Sequence, residues 1–173
     1  MSKTINILIA IDTDRVKSQY SKGSTDPNNP TGIAHDLGYL VATGTKINSG
    51  QGTGDLSITA LVGDTLRAFA TSGSDNFEDA VLLYGLPRFS GDQVTSDFQY
   101  QNFTKSTVIP NSPTQPLPAK IADEDFWFYQ ASIIKKGTEG YGVRFGLYTR
   151  DQNTGQPVLY GYYWWDPQIT VAG

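Results

Sequence analysis

The stretch GVRFGLYTRDQNTGQPVLYGYYWWDPQ, residues 142–168, decides the fold. Val143, Phe145 and Leu147 alternate with Arg144, Tyr148 and Arg150, the two-residue period that sends successive side chains to opposite faces of a strand. Asn153 and Gly155 suit a tight reversal, and Pro157 opens a second strand where a missing N–H is tolerated. That strand carries Tyr160, Tyr162 and Trp164 on one face, and Tyr163 and Trp165 on the other. The segment therefore reads as a β-hairpin with an aromatic second strand.

Working outward, the same alternation and the same Gly, Pro, Asn and Asp punctuation recur along the chain. Strands are expected at residues 4–13, 37–43, 55–61, 65–71, 80–86, 98–103, 126–135, 142–149 and 158–165. Long helical patterns are scarce. The expected fold is all-β, an antiparallel two-sheet β-sandwich of about eight to ten strands in a single domain, 1–173. Two long loops interrupt it, at residues 21–36 and 108–125. The second holds four of the nine prolines and is expected to be stiff and to cross between sheets.

Composition narrows the function classes. A chain of 173 residues buries about 70% of its extended surface without staples. There is no cysteine, which removes disulfides, thiolate metal sites and a cysteine nucleophile and fits a reducing compartment, with the cytoplasm as the default. The formal charge is −4 and Lys135-Lys136 is the one basic doublet, so neither nucleic acid nor an anionic membrane is an expected partner. The apolar run Ile7–Ile11 is too short for a secretion signal and ends in Asp12 without a small-residue cleavage site, so it reads as the first strand, and no other apolar stretch approaches the roughly 20 residues of a membrane span. Charged residues make up 17% against a usual ~25%, so copies repel one another weakly.

Candidate sites compete with plainer readings. His35 is the single histidine, and no Gly-x-Ser-x-Gly elbow accompanies it; a histidine that holds its loop in place is preferred to a catalytic one. Asp12 and Asp14, placed on one strand face, together with Asp26, Asn28 and Asn29, form an oxygen-rich set that could bind calcium. The run Asp151–Gly155 imitates the start of a calcium loop but lacks its closing Glu, so turn chemistry is preferred. Asp123, Glu124 and Asp125 show no spacing for carboxylate-pair hydrolysis. The glycine-rich residues 49–55 precede a strand rather than a helix, which favours a mobile hairpin loop over a phosphate cradle. Asn102-Phe103-Thr104 matches a glycosylation sequon, without consequence in a chain lacking an export signal. No catalytic residue, cofactor or metal is assigned.

The aromatic residues remain. In residues 126–129, Phe126 and Phe128 oppose Trp127 and Tyr129, so two strands have rings on both faces. One face of each is core. The other offers apolar contact together with hydrogen bonds, suited to a partner chain, to a stacked sugar or to cover by a loop. Tyr160, Tyr162, Tyr163, Trp164, Trp165, Trp127 and Tyr129 are accordingly the candidate ligand or interface residues.

The segments INILIAIDTD, DPNNPTGIAHD, LGYLVATG, GDTLRAFATSGSDNFEDAVLLYGL, FWFYQASIIKKGTEGYGVRFGLYTRD and LYGYYWWDP, in this order and spacing, resemble the PixA/AidA family of bacterial inclusion-body proteins. The resemblance covers nearly the whole chain. Ala68-Phe69-Ala70 departs from it where bulkier aromatic or basic residues are expected. It implies a soluble β-sandwich made inside bacterial cells, crystalline in inclusions in some members and under quorum-sensing control in others, with no enzyme activity, cofactor or catalytic residue to carry over. The combined expectation is a non-enzymatic, self-associating cytoplasmic protein, a homo-oligomer. A module binding carbohydrate or another small ligand is the alternative.

Overall fold

The structure, a computed structural model, describes residues 2–172. Strand β1 (Thr4–Ile11) places Ile5, Ile7, Ile9 and Ile11 in the core and Leu8 outside, as its two-residue period requires. It ends where Asp12 turns the chain. Asp12 Oδ1 accepts the backbone N–H of Arg15 and caps a short helix, α1 (Thr13–Gln19), satisfying one of the donors a helix start leaves open. The expected strand 4–13 is thus two residues shorter. Asp12 and Asp14 do not share a strand face.

The architecture corrects the expected antiparallel two-sheet sandwich. Among the described residues fourteen strands form three mixed sheets. The first runs β3 (Gly38–Thr43), β1, β6 (Thr65–Ser72), β10 (Lys120–Ser132), β9 (Gln99–Ile109), with β1 and β6 parallel. The second runs β4 (Lys46–Ser49), β5 (Leu56–Thr59), β14 (Gln168–Ala172), β11 (Gly137–Tyr141), β8 (Arg88–Gly91), with β5 and β14 parallel. The third runs β2 (Thr31–Gly32), β13 (Pro157–Trp165), β12 (Val143–Arg150), β7 (Ala80–Gly85), with β2 and β13 parallel. Each parallel pair joins segments far apart in sequence, an arrangement that side-chain alternation does not encode.

Residues 143–165 form the hairpin that their alternation implies, β12 pairing antiparallel with β13. Val143, Phe145 and Leu147 are buried, while Arg144 and Tyr148 are half-buried and Arg150 is exposed. A bulge at Leu147/Tyr148 leaves Tyr160 without a partner on β12, and bulges shift the faces of the residues around them. Tyr160 consequently packs against the core instead of sharing the outer face of Tyr162 and Trp164.

Both long loops differ from expectation. Residues 21–36 lie along the edge of β13: Tyr162 N–H donates to Ser24 O, β2 pairs with Tyr163 and Trp164, and Ile33 N–H donates to Trp164 O. A second set of ladder bonds thereby covers an edge that would otherwise be open. Residues 108–125 do not cross between sheets. Lys120–Asp125 pair in register with Thr104–Ile109, extending the β9–β10 hairpin, and the four prolines 110, 113, 116 and 118 fall in its turn, where no ladder donor is needed.

Candidate functional site

Tyr163 and Trp165 belong to the core. They are 0% and 1% exposed, and both pack on Phe145, Tyr163 stacked at 5.8 Å between ring centroids and Trp165 edge-on at 6.3 Å. The Tyr163 hydroxyl donates to Ser21 O at 3.0 Å, and burial pushes its phenol up to about 12. A Cβ on Gly38 would lie 2.6 Å from Trp165 Cζ2, so only glycine lets the backbone pass this close. Neither ring is available to a ligand or a partner.

Tyr162 and Trp164 line the opposite face of β13, half-buried. Tyr162 meets Tyr84 edge-to-face at 5.4 Å, and Trp164 meets Phe89 at 5.4 Å. Trp164, Phe89, Asn28, Asn29, Arg88 and Arg144 line a cavity of about 280 Å³. A larger neighbour of about 550 Å³ shares Asn28, Arg88 and Arg144 with it and reaches Tyr84, Tyr129 and the buried Glu139. This double cleft escaped sequence reasoning because its arginines come from β8 and β12, in different sheets.

The remaining candidates sit on β10. Tyr129 faces the core side and meets Tyr100 at 5.8 Å. Phe128 points to the other side of the sheet, under the Arg67 guanidinium at 4.9 Å and beside Phe69 at 5.1 Å. Beyond this point β10 pairs only with β9. Residues 120–127 then form an arm of two strands, roughly 25 Å long at ~3.3 Å per residue, in which every one of these β10 residues except Ala122 is exposed.

Both faces of the arm are partly apolar. Directly opposed residues share a face, which groups Trp127 with Asn102 and Ile121 with Val108 on the core side, and Phe126 with Phe103 on the other. Ile121 is 77% exposed and Val108 72%. On the outer side the apolar surface continues across the sheet, from Phe103 through Phe128 and Phe69 to Leu8 and Val41. The outer faces of sheets are usually polar. The sequence singles out Trp127 and Tyr129 and reads 126–135 as a strand, but it places residues 120–125 in a loop, which hides the arm's length and two-sided exposure.

The acidic candidates are occupied with local structure. Asp14 pairs with Lys17, which also pairs with the buried Asp79. Asp26 Oδ1 accepts the Asn28 N–H. Asp151 Oδ1 accepts the N–H groups of Thr154 and Asn153 and the Thr154 hydroxyl, which hold its carboxyl below the ordinary value. Asp123 and Asp125 accept from Ser106 and Thr104 across the arm. Among the described residues no three His, Asp or Glu side chains gather as a metal site. His35 Nε2 lies 2.9 Å from Asp166 Oδ1, joining the first long loop to the end of β13. The glycine-rich turn is tied to β3 by Gln51, whose side chain bonds the N–H and C=O of Ala42.

The family model of the PixA inclusion body proteins matches residues 3–171. The chain belongs to the PixA inclusion body protein family. A crystal structure of a PixA inclusion body protein from Burkholderia cenocepacia J2315 superposes with a TM-score of 0.85 at 30% sequence identity, covering 99% of this chain and 97% of that one. No curated protein sequence matches the chain. Membership in PixA agrees with the resemblance read from the ordered motifs. No helix among the described residues is long and apolar enough to cross a membrane.

Proposed function

We propose that this PixA chain is a non-enzymatic protein whose work is self-association, and that the partner is a second copy of the same chain. The observation that carries the proposal is the β9–β10 arm. An isolated two-stranded ribbon is marginally stable in water, and this one exposes Phe103, Val108, Ile121 and Trp127. Together with the outer stripe that runs to Leu8 and Val41, these side chains leave apolar surface on both faces of the arm, the kind of exposed patch that marks an interaction surface. The low charge density opposes approach between copies weakly. Two apolar faces on one arm give each copy two contacts, and contacts that do not close on themselves extend into open assemblies.

The reading includes accumulation in cytoplasmic inclusions, under quorum-sensing control as the family resemblance implies. Sedimentation velocity over a concentration series tests the association. The wild type is expected to gain mass with concentration, and the double variant Ile121→Ser, Trp127→Ser to stay monomeric with an unchanged melting temperature. A control altering Leu61 and Val62, exposed apolar residues away from the arm, is expected to assemble normally. A wild type that stays monomeric throughout removes the proposal. The second reading, a small-ligand module, draws support from the arginine-lined double cleft.

A further inference from the structure

We infer that the double cleft around Arg144 and Arg88 is a binding site for an acidic monosaccharide, a pyranose carrying a carboxylate or a phosphate. This goes beyond self-association and does not depend on it.

The inference starts from how the arginines are used. Arg15 pairs with Asp36, Arg67 donates to Gln130 and covers Phe128, and Arg150 donates to the carbonyls of Phe77 and Gly155. The Arg144 guanidinium makes no hydrogen bond or ion pair among the described residues, and that of Arg88 makes one long bond, from Nη1 to Gly91 O at 3.4 Å. These two line the same two adjoining cavities. Each guanidinium presents up to five donors in a planar fork matched to carboxylate and phosphate oxygens. Neither guanidinium forms an ion pair among the described residues, and an anion bound between them in the smaller cavity would engage their free donors.

The surroundings suit a hydroxylated ring rather than a bare anion or a hydrocarbon acid. Phe89, 56% exposed, and the half-buried Trp164 form an aromatic wall, against which the C–H face of a pyranose packs. Asn28 and Asn29 stand beside that wall, and Tyr84 and Tyr129 line the deeper cavity, supplying donors and acceptors for hydroxyl groups. Asp97 at the rim is exposed and offers a further acceptor. The buried Glu139 lines only the larger cavity, its Oε2 engaged by Val94 N–H, Thr95 N–H and the Tyr141 hydroxyl, so the anionic group belongs in the smaller cavity, which both arginines line without a carboxylate. Cavities of about 550 and 280 Å³ are of the size that takes small ligands.

Isothermal titration calorimetry with glucuronate, glucose 6-phosphate, glucose, acetate and inorganic phosphate tests the site. At least one of the two acidic sugars is expected to saturate at one per chain, and which of them binds tighter separates a carboxylate from a phosphate ligand. Glucose, which lacks the charge-assisted hydrogen bonds, and the bare anions, which lack the ring packed on Phe89 and Trp164, are each expected to bind roughly ten-fold or more weakly. Arg144→Gln and Arg88→Gln are each expected to weaken binding to a similar degree, and Phe89→Ala to weaken the sugar while leaving inorganic phosphate unchanged. The inference is overturned if neither acidic sugar binds, if glucose or inorganic phosphate binds as tightly, or if the arginine variants bind like wild type. Should Arg144→Gln fail to fold, the surface variant Arg88→Gln decides the matter.

Discussion

The Tyr141 hydroxyl donates to Glu139 Oε2 at 2.8 Å. The two residues lie two apart on β11, and the same oxygen takes the N–H groups of Val94 at 2.7 Å and Thr95 at 2.8 Å. Glu139 is 1% exposed, and burial holds the Tyr141 phenol far above its ordinary range. The carboxylate thus takes three donors, two of them in the segment that leads from β8 to β9 and one from its own strand.

Replacing Glu139 by Leu leaves those donors buried without an acceptor. Stability is expected to fall by about 3–5 kcal/mol, as when one partner of a buried polar network is removed. Urea unfolding measures it; a loss below about 1 kcal/mol contradicts the account.

Acid is expected to weaken the fold through Asp64. Burial alone would raise its carboxyl, but N–H bonds from Leu61 and Lys3, both at 2.9 Å, hold it below the ordinary 3.8. The folded state therefore binds fewer protons than the unfolded one near that pH. The stabilisation is complete above about pH 3.8 and is lost as pH falls through the lower folded value. Asp64→Asn should cost about 1–3 kcal/mol at pH 7, and its deficit against wild type should shrink on acidification. A deficit that is constant from pH 7 to pH 2 refutes this.

Gly161 and Gly23 touch backbone to backbone, and a Cβ on Gly161 would lie 2.5 Å from Gly23 Cα. Gly161→Ala is expected to push the first long loop off β13 and to cost about 1–3 kcal/mol, as overpacking does. Thermal unfolding reads the loss, and a melt like wild type would show that the loop yields without strain.

The aromatic residues should divide by face. Trp165→Ala empties a filled core and is expected to cost about 3–5 kcal/mol. Trp127→Ser, on the arm at 42% exposure, is expected to leave stability within about 0.5 kcal/mol. Paired denaturation curves check both, and equal losses would contradict the assigned faces.

Several features were legible in the sequence because they depend on near neighbours. The alternation in residues 143–148 and the burial of Ile5, Ile7, Ile9 and Ile11 follow from a two-residue period. The turn at Asp151–Gly155 follows from side chains that bond their own backbone. One bulge was enough to defeat the same rule at Tyr160, because a single inserted residue changes which side faces in.

Local chemistry along the chain, then, determined that this protein is β-rich, which positions along most strands are apolar, and, through the order of its motifs, its family. The tertiary structure alone decided that β1 joins β6, β5 joins β14 and β2 joins β13 in parallel, that Tyr163 and Trp165 rather than Tyr162 and Trp164 face the core, and that Arg88 and Arg144 share a cleft. The reason is physical. Alternation assigns a residue to one of two faces but does not say which face is covered, and contacts between distant segments are set by how the whole chain buries its apolar surface.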